Sequence, residues 1–406
     1  MLTNPTYDKD MLFDLVIIGG GCAGLSLVRA LCQQAVLPEH VPTTLIIEPR
    51  SHYIDDRSWC FWEHEKNVDD TLVAKSWPAW EFSTREKRRR HTSTEGWHYH
   101  YVPSIRFYTH AEKLIAQHSN MTLNRGEHVV EVIPNSKYLQ VKTSSGSFKT
   151  RLLVDTRIPQ SIDVDAATLK QVFYGVEVEF EHDLLQDDAA LIMNNMRTDE
   201  KGFIFDYVLP LSPKSGLFEV TRFANDMIQP ESLRAAACEL VNRHGQQNGF
   251  KILREESGMI PMGLPTLPES GDFRWIHAGI GAGSARASTG YAFQRIQRWA
   301  VSCAHAVLNK RELKSPEVDR AYIAWMDNTL LRTLRDHPEL GPDLFFALAN
   351  GVSPDRLLRF LTDQPRSADL LAVIASLPKM PLIRSAVGSA FTRTSSRRGG
   401  DKWREA

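Results

Sequence analysis

The chain has 406 residues, with 48 Lys plus Arg against 49 Asp plus Glu and a formal net charge of −1. So close a balance excludes nucleic-acid binding by bulk charge, and the length is that of two or three domains, or an interleaved pair, around a large core. The five cysteines, Cys22, Cys32, Cys60, Cys238 and Cys303, are odd in number and scattered, which excludes metal-site spacing and leaves no disulfide framework. Residues 1–11 are polar and lack an apolar signal core, and no window reaches the ~18 apolar residues of a spanning helix. A cytoplasmic protein, soluble or surface-bound, is expected.

The first element is a buried strand at residues 15–18, followed by Gly19-x-Gly21-x-x-Gly24 and a helical segment at 25–32. This spacing lets backbone approach a pyrophosphate and aims a helix N-terminus at it. Gly19 makes the tight turn, Gly21 clears the phosphate, and Gly24 lets helix and strand pack. A second apolar run, 44–47, ends in Glu48, at roughly the 20-residue offset of the acid that binds a ribose hydroxyl. An acid there argues against a ribose 2′-phosphate, so FAD or NAD fits better than NADP. A glycine-rich strand-to-helix turn without cofactor is the plainer alternative.

Trp59, Phe61 and Trp62 then fall within four residues. They read equally as core or as the rigid wall of an apolar ligand site. The following segment, to about residue 103, is rich in aromatics and charges, and its basic run at 85–90 reads as a solvated face or, less simply, a membrane-headgroup contact. A helix at 107–118 precedes three short strands at 129–133, 138–143 and 148–154, the last two joined by Ser144-Ser-Gly146. Helix, small β-meander and returning strand match flavin-dependent two-domain oxidoreductases better than a plain NAD dehydrogenase.

From residue 172 the pattern alternates strongly, and runs at 172–180, 191–193, 203–211 and 216–223 predict an antiparallel sheet, a substrate domain inserted into the nucleotide fold. A helix follows at 232–243, and 255–262 reads as a sharp loop returning to the cofactor domain. Residues 275–283 form an apolar run ending in glycines. Before the long helix at 291–308, these glycines would bring more backbone N–H groups to a flavin ring or phosphate. The rest is helical in tone, at 321–335, 343–349, 354–361 and 368–377. Pro378 and Pro381 break the pattern, and the tail from Thr392 is expected to be disordered.

In order, several motifs resemble the flavin-dependent lycopene β-cyclases of carotenoid-making bacteria. They are Asp14-Leu-Val-Ile-Ile-Gly-Gly-Gly, Asp56-Arg-Ser-Trp-Cys-Phe-Trp62, Tyr207-Val-Leu-Pro-Leu-Ser212 and Leu217-Phe-Glu-Val-Thr221. Gly258-Met-Ile-Pro-Met262, Ala287-Ser-Thr-Gly-Tyr-Ala-Phe293, Asp355-Arg-Leu-Leu-Arg-Phe-Leu361 and Leu377-Pro-Lys-Met-Pro381 complete the set, spanning roughly residues 12 to 385. Among the sequence's departures from the family's pattern, Cys22 sits inside the glycine turn and the segment 85–100 is unusually charged. Asp155-Thr-Arg157 is followed by Ile158-Pro159 where a glycine is usual, and Ala287 stands where proline is usual.

The resemblance implies an α/β, Rossmann-like FAD-binding two-domain fold of the glutathione-reductase/PHBH type, with an antiparallel β substrate domain and a helical C-terminus. The implied division is a cofactor domain at 12–160, with a loop insertion at about 63–103, and its second part at 273–310. A substrate domain at 161–272, a helical region at 311–391 and the tail at 392–406 make up the rest. The implied reaction is an isomerisation: a ψ-end of lycopene or a related polyene is protonated, an internal double bond attacks the cation, and loss of a ring proton gives a β-ionone ring. FAD is implied to work reduced, with NAD(P)H as reductant. By resemblance the essential acid is Glu219. Implied cofactor contacts are Gly19, Gly21, Cys22, Ala23, Gly24, Glu48, Arg57, Asp155, Gly281, Gly283, Thr289, Gly290 and Tyr291, and implied substrate-lining residues are Trp59, Phe61 and Trp62.

Read physically, Glu219 sits in an alternating apolar strand of undetermined face. Inward, desolvation would let it hold a proton near neutrality; outward, it is a solvated strand residue. An FAD monooxygenase or halogenase on the same fold, and a flavin-binding protein without catalysis, are the other readings. A hydrophobic polyene as partner implies peripheral contact with the inner face of the membrane, aided by Lys379, Arg384, Arg393, Arg397 and Arg398 beside apolar helix faces.

Overall fold

The computed structural model describes residues 11–159, 162–245, 249–264 and 271–378. The expected tail from Thr392, and the basic set Lys379, Arg384, Arg393, Arg397 and Arg398, lie outside the described residues. Strand β1 (Leu12–Ile18), helix α1 (Cys22–Gln34) and β2 (Thr44–Glu48) form an opening βαβ unit. Strands β3 (Ser58–His64), β4 (Lys75–Trp77), β5 (Ala79–Thr84), β6 (Arg88–Thr92) and β7 (Trp97–Pro103) precede α2 (Ser104–Ala116). Then come β8 (Met121–Arg125), β9 (Val129–Pro134), β10 (Leu139–Thr143) and β11 (Ser147–Asp155). The second half holds β12 (Leu169–Phe180), β13 (Ala189–Asp199), β14 (Gly202–Pro210), β15 (Ser215–Ala224), α3 (Arg234–His244) and β16 (Phe250–Met262). Short β17 (Trp275–His277) and α4 (Phe293–Leu308) return to the first sheet, and α5 (Ala321–Asp336), α6 (Gly341–Gly351), α7 (Pro354–Leu361) and α8 (Ser367–Ser376) follow.

The first sheet runs β8-β2-β1-β11-β10-β9, with β17 beside the end of β11. Strands β8, β2, β1, β11 and β17 are parallel. β1 is apolar in succession rather than alternating because both its faces are covered. Leu15 and Ile17 pack with Leu25, Val28 and Leu31 of α1 and with Trp299 and Cys303 of α4, while Val16 and Ile18 pack toward the meander residues Leu139 and Val141.

The second sheet, β16-β12-β15-β14-β13-β5-β6, is antiparallel except for the parallel β13–β5 pair. Side chains alternate across it. Val172, Val176, Phe218, Val220, Ile204 and Val208 face α3 at Ala237, Leu240 and Val241. The intervening residues, among them Phe173, Glu219, Thr221, Phe205 and Tyr207, face the interior between sheet and cofactor domain. A third sheet, β3-β7-β4, bridges the two.

Two expectations are corrected. The supposed loop insertion carries strands β4 to β7, of which β7 pairs with β3 and β5–β6 extend the second sheet. Its basic run lies on the edge strand, where Arg88 and Arg90 are paired across to Glu81 and Asp188; charges on an edge block pairing with other chains. Residues 255–262 belong to strand β16 and are not a loop. Helices α5 to α8 close the interior. Buried Arg286 anchors them through Asp327 (Nε–Oδ2 3.1 Å) and by lying 4.3 Å over the Phe360 ring.

Candidate active site

The glycine turn is built as its spacing requires. Gly19 has φ +98°, and a Cβ there would meet Thr156 Oγ1 at 2.2 Å; at Gly24 it would meet the Gly19 carbonyl oxygen at 2.0 Å. Both positions therefore demand glycine. Nothing lies within 4 Å of a Cβ at Gly21, and this residue caps α1 without any side-chain bond to the free N–H groups. An open, uncapped helix N-terminus is an anion site. Ala23 is buried beside Gly279. Cys22 lines the site, but burial pushes its thiol up to about 12, so it stays a neutral thiol.

Glu48 is placed beside this turn, with its oxygens accepting from the Gly20 N–H (2.7 Å) and from Arg50 (N 2.9 Å, Nε 2.7 Å). It does not line the cavity, whereas Arg50, Asp56 and Arg57 do. Asp155 ends β11 at the C-terminal edge of the parallel strands, held by Arg157 (Nη2–Oδ2 2.7 Å) away from the cavity. Gly281 packs on Ile158 and Gly283 is open with φ +81°, both outside the cavity wall. Thr289, Gly290 and Tyr291 form part of that wall.

A cavity of about 590 Å³ runs from Gly21, Cys22 and Arg57 to an apolar end lined by Phe205, Phe223, Phe345, Leu348 and Leu357. Strand β3 splits its aromatics by alternation. Trp59 and Phe61 turn toward the cofactor-domain core, where each stacks on Phe293 at 5.6 Å and 5.0 Å, while Cys60 and Trp62 turn toward the other sheet. Trp59 and Trp62 line the cavity; Phe61 lies outside its wall, in a small pocket beside it with Trp62, Tyr291 and Phe293.

Glu219 lies on the cavity face of β15. Burial, and next the nearby Glu256, push its carboxyl up to about 8, against the Thr221 hydroxyl, which donates to its Oε1 at 2.6 Å, and Arg254. It therefore holds a proton at neutral pH in an enclosed, aromatic surround, the requirement for a general acid. In register beside it on β14 is Tyr207, whose hydroxyl is 2.8 Å from that of Tyr99. On its other side is Gly175, and beyond that Glu256.

Sequence reading missed Glu256, Tyr99, Tyr207, Cys60 and Arg50 as cavity residues. Tyr207 lay within a quoted motif, but only strand register reveals that it adjoins Glu219. Another residue of the wall, Gln171, has a buried Oε1 without a hydrogen-bond partner among the described residues. It is an acceptor available to a bound N–H group.

The family described as Lycopene cyclase protein matches residues 14–387. The chain is 27% identical over 322 residues to a lycopene beta-cyclase of Pseudescherichia vulneris, covering 74% of this chain and 75% of that protein. It is 25% identical over 395 residues to a lycopene beta-cyclase of Pantoea ananas, covering 91% and 96%. Among solved structures, a geranylgeranyl bacteriochlorophyll reductase-like protein of Thermoplasma acidophilum superposes with a TM-score of 0.61 at 12% identity, over 92% of this chain and 98% of that one. Flavin-dependent monooxygenases and halogenases share the architecture, so the Rossmann-type flavoprotein fold is established.

Proposed function

We propose that this chain, which belongs to the lycopene cyclase family, is an FAD-dependent cyclase that closes ψ-ends of lycopene, or of a related acyclic polyene, into β-ionone rings. The observation that carries the reading is Glu219: a protonated carboxyl facing a cavity that reaches both the glycine turn and an apolar aromatic end.

The chemistry follows from those surroundings. Glu219 transfers its proton to the terminal double bond of the polyene, leaving a tertiary cation. The internal double bond attacks that cation, forming the ring carbon–carbon bond, and a ring proton departs to a base, so product and substrate are isomers. Trp62, Tyr99, Tyr207, Phe205 and Phe223 line the same cavity as Glu219; their faces stabilise positive charge, and their bulk keeps out the water that would quench it. The uncapped start of α1 at Gly21, with Arg50 and Arg57 near it, suits the FAD pyrophosphate, and Gln171 Oε1 suits a ring N–H. When bound, reduced flavin would supply an electron-rich ring, and a nicotinamide donor would keep it reduced. Since the substrate is insoluble in water, we place the protein at the inner face of the membrane as a peripheral one; no helix among the described residues is long and apolar enough to cross.

The test is expression in a lycopene-accumulating host, followed by carotenoid analysis. Ring-closed carotenoid of unchanged mass is expected. Unchanged lycopene, or a product carrying oxygen or halogen, would reject the reading in favour of the monooxygenase and halogenase class.

A further inference from the structure

The second sheet places four residues in one row across neighbouring strands: Glu256 on β16, Gly175 on β12, Glu219 on β15 and Tyr207 on β14. Residues in such a row share a face. Gly175 is the gap in it. A Cβ there would lie 3.2 Å from Glu256 Cγ and 3.5 Å from Glu219 Cβ, so both acids lean over the same glycine. The two carboxyls are furnished differently. Glu256 Oε2 accepts from Arg254 Nη1 (2.6 Å) and from the Ser58 hydroxyl (2.8 Å). Arg254 is itself steadied by Glu177 (2.6 Å), Tyr101 (3.0 Å) and Asp55 (3.5 Å). Among the described residues, Glu219 accepts a side-chain hydrogen bond from the Thr221 hydroxyl alone.

We propose that Glu256 is a positioning residue for the acid: its carboxylate, fixed by Arg254 and Ser58 across Gly175, keeps the proton on Glu219 at neutral pH. This rests on the reading of Glu219 as the cyclisation acid. Burial pushes both carboxyls up, but Arg254 and Ser58 pull Glu256 back down, so of two neighbouring acids that cannot both ionise cheaply it is Glu256 that takes the charge. The other groups around Glu219 do not supply a competing anion. Cys60 on β3, Tyr99 on β7, Tyr207 on β14 and Tyr291 are all pushed up by burial and stay neutral, and Arg254 acts in the opposite direction. Glu256 lines the same cavity, beside Ser58 and Arg57 at the cofactor end. The row thus joins the polar end of the site to the apolar end.

The test is infrared titration of the flavin-loaded enzyme, following the protonated-carboxyl stretch that disappears in Glu219→Gln. In the wild type this band should persist through neutral pH. In Glu256→Gln, loss of the anion and the less compensated Arg254 cation both act downward, so the band should vanish about one pH unit lower. The high-pH limb of kcat/KM should move with it. A merely structural role would lower activity without moving either. Should Glu256→Gln fail to fold, Glu256→Asp keeps the ion pair but draws the charge back, and should move the band the same way by less. An unmoved band in the folded variant overturns the proposal. Full cyclisation by Glu219→Gln would instead reject Glu219 as the acid, whatever the titration shows.

Discussion

Glu219 is a carboxyl whose surroundings, not its identity, give it a task. Replacing it by Gln keeps the shape and removes the transferable proton, so cyclisation should fall by at least about 10²–10⁴-fold while flavin content is unchanged by absorbance. In the intact protein, activity should decline as pH rises through about 8, where the acid loses its proton. Stability carries the same signature. The folded chain holds a proton that the unfolded chain releases near 4.5, so the group's contribution is full below that value and is lost as pH rises through about 8. Denaturant titrations across that window should show the slope, and Glu219→Gln should flatten it. The sequence could not fix the face of Glu219, because Leu217, Phe218 and Val220 are all buried and a strand covered on both sides has no polar side to read. Pairing with Tyr207 and Gly175 decides it.

Among the elements, the opening βαβ unit was legible because its glycines are required by backbone contact. Gly24→Ala would press a Cβ against the Gly19 carbonyl oxygen, which should cost about 1–3 kcal/mol and lower the flavin-to-protein ratio. Strand β16 was not legible, since Gly258 and Pro261 signal a turn. The structure gives each another reason. The Phe173 ring fills the space where a Gly258 side chain would stand, and Pro261 is tolerated because β16 is an edge strand needing bonds on one side only. The helical cap makes its own prediction. Arg286→Met would leave Asp327 buried without its cation, destabilising by about 3–5 kcal/mol, whereas pairing it with Asp327→Leu should restore most of the loss in thermal unfolding.

The whole molecule interleaves its parts more than any local pattern reveals. Strand β5 joins β13 in parallel across more than a hundred residues of chain, and α4 returns from the second half to pack on α1. Contacts at that separation leave no periodicity to read, which is why residues 63–103 looked like an insertion. The result is a single site whose cofactor end, acid and apolar end come from different stretches of chain. Outside it, Tyr322 and Trp325 on α5 and Leu371 and Ile374 on α8 are exposed. Peripheral membrane association should appear as co-sedimentation with anionic liposomes, reduced when Trp325 and Leu371 are made Ser; equal recovery in the supernatant would count against it. The most direct measurement is anaerobic turnover of lycopene by the reduced, flavin-loaded protein in heavy water, read by mass spectrometry. The account predicts a ring-closed product carrying a single deuterium for each ring formed, delivered from the exchanged Glu219 carboxyl. A cyclised product without deuterium, or turnover that proceeds only when oxygen is admitted, would contradict it.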